Sequence, residues 1–163
     1  MKRLLLLVLS VPVLSTTLYA QTPNCDASLL KHVYHPTRLL VKNKCVAVTG
    51  TIVDATKGKK ADGVKHEPDG DTHGWLKPDA QFKNLLNAGN KSAEGGNLVF
   101  EIICIFVPPS QLDAKPVCKG FTNQVALPPV GSHVRIVGQL VQELKHPAKW
   151  IEIHPVTSIT VVP

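Results

Sequence analysis

From Trp150 to His154 the chain alternates strictly between apolar and polar side chains. Ile151 and Ile153 leave one side of an extended backbone, and Trp150, Glu152 and His154 leave the other, because successive strand side chains point to opposite faces. The same phase runs on through Ile159 and Val161, which predicts a long terminal strand with one side in a core. Four more stretches carry strand patterns. Residues 45–53 are β-branched and alternating, with Gly50 in the middle. Residues 71–77 end at Pro78, residues 98–106 form the most apolar run and stop at Pro108-Pro109, and residues 131–141 again carry a central glycine, Gly138. A glycine inside a strand permits the sharp coiling that a small barrel demands. Helical patterning is scarce. Asp26 can cap a short helix over residues 27–34 that Pro36 stops, burying Leu29, Leu30 and Val33 and leaving His32 and His35 at its surface end. Residues 79–87 predict a helical turn with Phe82, Leu85 and Leu86 as its apolar face, and residues 87–96 and 116–129 read as loops.

Five strands, with glycines punctuating the first (Val48-Thr49-Gly50-Thr51-Ile52-Val53) and the fourth (Val134-Arg135-Ile136-Val137-Gly138-Gln139), resemble the OB-fold. The resemblance covers about residues 39–162. It implies an all-β fold: a five-stranded OB-like Greek-key barrel, strand order 1-2-3-5-4 and back to 1, with a short N-terminal helix. The alternative, a β-sandwich, would call for about seven strands. The segments Glu67-Pro68-Asp69-Gly70-Asp71-Thr72-His73, Leu98-Val99-Phe100-Glu101 and Trp150 to Val156 are also similar to a group of small exported proteins of unassigned activity. That likeness implies the fold and the export, and supplies no reaction.

Length and composition add an address. The 163 residues suffice for one domain with a core. Met1-Lys2-Arg3, the apolar run from Leu4 to Leu14 and a cleavage point at Tyr19-Ala20 read as a signal peptide, residues 1–20, too short to span a bilayer. Residues 21–163 are then the single OB-like domain, secreted or periplasmic, with no membrane span and a monomer expected. Once Lys2 and Arg3 are removed, sixteen basic residues face twelve acidic ones, a net charge of +4 that suits an anionic partner only mildly. Four cysteines in an exported chain imply two disulfides. Three pairings are possible; Cys25–Cys45 and Cys104–Cys118 are favoured, the first tying the N-terminal segment to the first strand and the second closing the loop after the third. No CxxC pair supports a zinc ribbon or a redox motif.

If strands 2, 3 and 5 are neighbours, one outer face collects Asp71, His73, Glu101, Glu152 and His154, flanked by Trp75 and Trp150. Two imidazoles and three carboxylates at close range are ligands for a divalent metal, zinc or calcium being the candidates, with the second imidazole nitrogens held by carboxylates. The competing reading is a self-satisfied cross-strand network that only covers the sheet. His146 is a candidate further ligand at the mouth of this face, His66 can extend it beside the turn at residues 67–71, and His133 reads as a surface residue at a strand start. Lys57, Lys59 and Lys60, on the loop after the first strand, are candidate ligand-binding residues together with the two tryptophans, which could stack on a sugar ring.

Asp69-Gly70-Asp71-Thr72 is similar to the DGDT run of thermonucleases, themselves OB-fold proteins. The resemblance implies Asp71 as a calcium ligand beside a scissile phosphate. It stops there, because residues 100–109 carry neither the arginine nor the D-T-P-E run of that active site. Nucleic-acid binding is not expected either, since aromatics make up only 5% of the chain and such barrels stack bases along a basic groove. No nucleophile elbow, phosphate loop or HExxH run occurs. The sequence therefore points to a non-enzymatic binding or accessory module with an anionic or sugar ligand. A metal-dependent phosphodiester hydrolase, with Glu152 as base, and an inert structural domain are the alternatives.

Overall fold

The computed structural model describes residues 22–163; the segment read as a signal peptide lies outside the described residues. Six strands are present: β1 Leu39–Val53, β2 Lys65–His66, β3 Thr72–Pro78, β4 Leu98–Phe100, β5 His133–Glu143 and β6 Ile151–Val161. Five of them close a barrel in the circuit β1–β5–β6–β4–β3–β1. Every pairing is antiparallel except that of β4 with β6. This is the OB-like order, and β2 is an extra strand outside the barrel, paired to β3 through Lys65–His73 and His66–Thr72.

The barrel interior is apolar. Val48, Ile52, Leu76, Leu98, Phe100, Ile102, Ile136, Ile151, Ile153 and Val156 form one buried cluster, and Phe82, Leu85 and Leu86 pack on it from the 3-10 turn Ala80–Leu85. Two glycines serve close approach. A Cβ on Gly50 would lie 2.4 Å from the Lys77 carbonyl oxygen where β1 passes from β5 to β3, and one on Gly74 would lie 2.2 Å from the Phe100 ring. The coiling expected at Gly50 is thus tight strand contact, which a side chain would forbid.

The terminal strand departs from simple alternation. Ile151 and Ile153 point inward, but so does Val156, and Val161 is exposed. The register against β5 shifts on both sides of Gly138, where Val137 faces Ser158, Gly138 faces Val156 and Leu140 faces Ile153. Extra residues bulged out of β6 shift its phase at Val156; Ile159 returns to the core side as expected, and the continuity fails only at Val161.

The third barrel strand is also shorter than its apolar run suggests. It ends at Phe100: the Glu101 N–H still reaches the Ile153 carbonyl, but the amide protons of Ile102 and Cys104 go to side chains outside the ladder. Ile102 N–H donates to Thr72 Oγ1 at 2.8 Å, and Cys104 N–H to Asp71 Oδ1 at 2.7 Å. The run remains buried because it passes beneath the N-terminal segment: Ile103 packs with Leu29 and Val33.

That segment is the 3-10 turn Ala27–His32, capped by the Asp26 side chain on Ser28 N–H. Leu30, expected inside, is exposed. His32, expected at the surface, stacks on Phe121 at 3.9 Å between centroids and meets the Val117 carbonyl. Two stretches read as loops contain short helices, α1 Ala88–Ala93 and α2 Lys115–Cys118. In α1, Asn87 and Asn90 cap each other reciprocally, and Asn90 also donates to the Asn97 and Ile151 carbonyls while accepting from Ile151 N–H. The disulfides are Cys25–Cys45 and Cys104–Cys118. No helix among the described residues is long and apolar enough to cross a membrane.

Candidate functional site

Strand register builds the site. Gly74 faces Phe100 and Phe100 faces Ile153. One residue further along, His73, Glu101 and His154 fall in a single row across three chain segments. Backbone pairing continues to that level, since Glu101 N–H donates to the Ile153 carbonyl and Val156 N–H to that of Glu101. Because Phe100 and Ile153 point into the barrel, this row points out of it.

Glu101 is the centre of the row. One oxygen lies 2.7 Å from His154 Nδ1, and the other 3.5 Å from His73 Nδ1. His154 Nδ1 also meets Glu152 Oε1 at 3.2 Å, and His73 Nε2 meets Glu94 Oε2 at 2.8 Å. Both tryptophans donate into the network, Trp150 Nε1 to Glu152 at 2.6 Å and Trp75 Nε1 to Glu94 at 2.7 Å. Arg38 reaches in from the 3-10 turn Pro36–Arg38. It bonds Glu143 at the end of β5 and lies 3.8 Å from Glu101 and 3.9 Å from Glu152. Asp71 stands at the deep end, its Oδ2 3.9 Å from His154 Nε2.

Although this face lies outside the barrel, it is not a solvent-facing patch. Asp71, His73, Glu101, Trp150, Glu152 and His154 are all buried. His73, Glu101 and Trp150 line a cleft of about 470 Å3 whose rim includes Tyr34, Lys65, Glu67, Asp69, Lys145 and His146, and Asp71, Glu152 and His154 lie beneath them in contact with that row. Trp75 is half-buried beneath Lys65, whose Nζ lies 5.8 Å from the ring centroid. Lys57, Lys59 and Lys60 are exposed and none of them lines the cleft. His66 stacks on Phe106 and pairs with Asp62, and His133 pairs with Asp79 at the opposite end of β5.

The charges in the row hold one another. Burial alone would strip the proton from His154, but the charge of Glu101 and the hydrogen bonds to Glu101 and Glu152 raise its pKa to about 10. His73 is raised to about 9, burial being outweighed by its bonds to Glu101 and Glu94. Burial pushes Glu101 up, yet the two imidazolium rings drive it far below the ordinary carboxylate range. Glu152 goes the other way, raised by burial and by the charge on Glu101. Asp71 is raised well above its ordinary value, mainly by burial, and Glu67 and Asp69 are raised chiefly by burial, with the charge of Glu101 adding to it.

Sequence patterning did not reveal Arg38, Glu94 or Glu143, nor the rim role of Glu67 and Asp69. A compositional signal was available. The chain holds only five glutamates, Glu67, Glu94, Glu101, Glu143 and Glu152, and every one lines this cleft or its floor. Arg38 is one of only two arginines after residue 3, and a buried carboxylate row requires cations. No family model, curated protein or solved structure matches this chain.

Proposed function

We propose that this chain is an exported OB-like binding module whose cleft, over the outer face of β3, β4 and β6, accepts a positively charged group. The observation that carries this reading is an inversion of charge. A chain of formal net charge +6 gathers all five of its glutamates, with Asp69 and Asp71, around one cleft. Seven carboxyl groups there face Arg38, Lys65, Lys145 and two imidazolium rings. Four of the seven, Glu67, Asp69, Asp71 and Glu152, are held above their ordinary pKa values by burial and neighbouring negative charge. An entering cation lets them ionise and lowers that cost. The same surroundings repel an unshielded phosphate or other anion. Export is supported by the two disulfides and by the leader-like pattern of residues 1–20.

Calorimetric titration with spermidine, inorganic phosphate and a neutral oligosaccharide tests the reading. Spermidine should bind, more weakly as salt rises, and Glu94→Gln should weaken it. Binding of phosphate in preference to spermidine would overturn the proposal.

Phosphodiester hydrolysis is the second reading, favoured by one observation. The arginine absent from the strand that should carry it in the thermonuclease resemblance is supplied from Pro36–Arg38, with Arg38 Nη2 3.8 Å from Glu101. Plasmid DNA incubated with the protein and calcium or manganese should be degraded on this reading, and intact plasmid disposes of it.

A further inference from the structure

The cluster has more potential metal ligands than a metal could use, and its hydrogen bonds sort them. Both nitrogens of His73 are engaged, by Glu94 and Glu101. Both oxygens of Glu152 are engaged, by Trp150 and His154. Two atoms are left over. Asp71 Oδ2 and His154 Nε2 are completely buried and have no hydrogen-bond partner, although buried polar groups are almost always bonded. They face each other at 3.9 Å. Asp71, Glu101 and His154 can each offer one ligand atom such that the three lie within 4.8 Å of one another.

We propose that Asp71 Oδ2 and His154 Nε2 hold one divalent cation, deep beneath the cleft, with Glu101 turning to it the oxygen that stands only 3.5 Å from His73 while its other oxygen stays on His154 Nδ1. This rests on the reading of the cleft as cation-accepting and identifies one of its ligands. The supporting arrangement is the one that metal-binding histidines use: Nδ1–H is fixed by Glu101 and Glu152, which turns Nε2 toward Asp71. The cation replaces the proton on Nε2, which is released to solvent, and the Nδ1 proton stays between the two glutamates. One imidazole nitrogen with two carboxylates selects a first-row ion such as zinc or manganese over calcium or magnesium, which take oxygen ligands. Two ties hold the donors in place: Asp71 Oδ1 accepts from Cys104 N–H, and Cys104 is joined by its disulfide to Cys118. Entry is from the cleft, which Glu101 lines.

The test uses the full chain, stripped with chelator and passed through a desalting column. Zinc or manganese should raise the melting temperature with the logarithm of free metal, and one ion per chain should survive gel filtration. His154→Gln and Asp71→Asn should each weaken the metal at least about tenfold, while His133→Ala, at the far end of β5, should leave it unchanged. Should the buried variants fail to fold, 15N NMR of the wild-type imidazoles decides. One histidine should show zinc on Nε2 with its Nδ1 proton retained. No bound ion and no melting shift with zinc, manganese or calcium overturns the site, as does zinc on His32, His35 or His146 instead. Spermidine binding by the metal-free protein separates the two proposals. Where spermidine binds and metals do not, only the metal site falls; where neither binds, the cation-accepting cleft falls too.

Discussion

Phe100 and Glu101 are adjacent in the chain and both buried, yet they are stabilised in opposite ways. Phe100 enters the barrel, where its ring covers Gly74 and needs nothing but close contact. Glu101 leaves on the other face and is held by two imidazolium rings and a guanidinium. The outer face of an antiparallel sheet is commonly left to water. Here the segment carrying Arg38, the end of α1 carrying Glu94 and the turn carrying His146 close over it. The inner face tolerates any well-packed apolar substitute of similar volume. The outer one depends on each charge finding its partner, because a buried ion that loses its counterpart carries its full desolvation cost.

Phe100→Ala tests the inner face and should have the largest effect, a loss of about 3–5 kcal/mol in urea unfolding. For the outer face, Arg38→Met keeps the side-chain volume and removes the charge from beside Glu101 and Glu143. It should cost about 2–3 kcal/mol, less than a fully enclosed pair because the guanidinium is partly exposed. Adding Glu143→Gln should cost less than the two single losses combined, since the groups share one network. If Arg38→Met is silent, the outer face is packing alone.

Proton linkage separates the faces without mutation. His154 and His73 have folded-state pKa values of about 10 and about 9, against an ordinary value of 6.5. Their contribution is therefore complete below pH 6.5 and is lost as pH rises through 9 and 10. The melting temperature should fall across that window, and His154→Gln should flatten the fall, whereas Phe100→Ala should displace the whole profile downward with its shape intact. The smallest effect belongs to a half-exposed pair of the same chemistry. His133→Ala breaks a contact with Asp79 at 3.1 Å, and solvent screening should leave the melting temperature unchanged within error.

The barrel was legible because its five strands announce themselves by alternation, and their glycines by position. The inner face followed from that pattern: Ile151, Ile153, Leu76 and Phe100 all lie where period two puts them. His73, Glu101 and His154 could be placed in one row because the OB-like strand order fixes which neighbours they have. What covers the row could not be read. Arg38 sits in a 3-10 turn and Glu94 at the end of a six-residue helix, and neither position belongs to any periodic pattern. Depth was invisible for the same reason, since alternation separates the two sides of a sheet but does not tell whether the second side is wet. The end of β4 was missed because side-chain oxygens of Thr72 and Asp71 displaced the ladder, a competition that hydrophobicity does not register.

Asn90 joins the start of β6 to the residue just before β4 through two donated bonds and two accepted ones. A carboxylate in its place would have the same shape and no protons to give. Spontaneous deamidation at this one amide would therefore set an acceptor against the carbonyls of Asn97 and Ile151, prising apart the strand ends on which the row beside them is laid out. The slow chemistry of one amide would then act as a clock on the protein's working life.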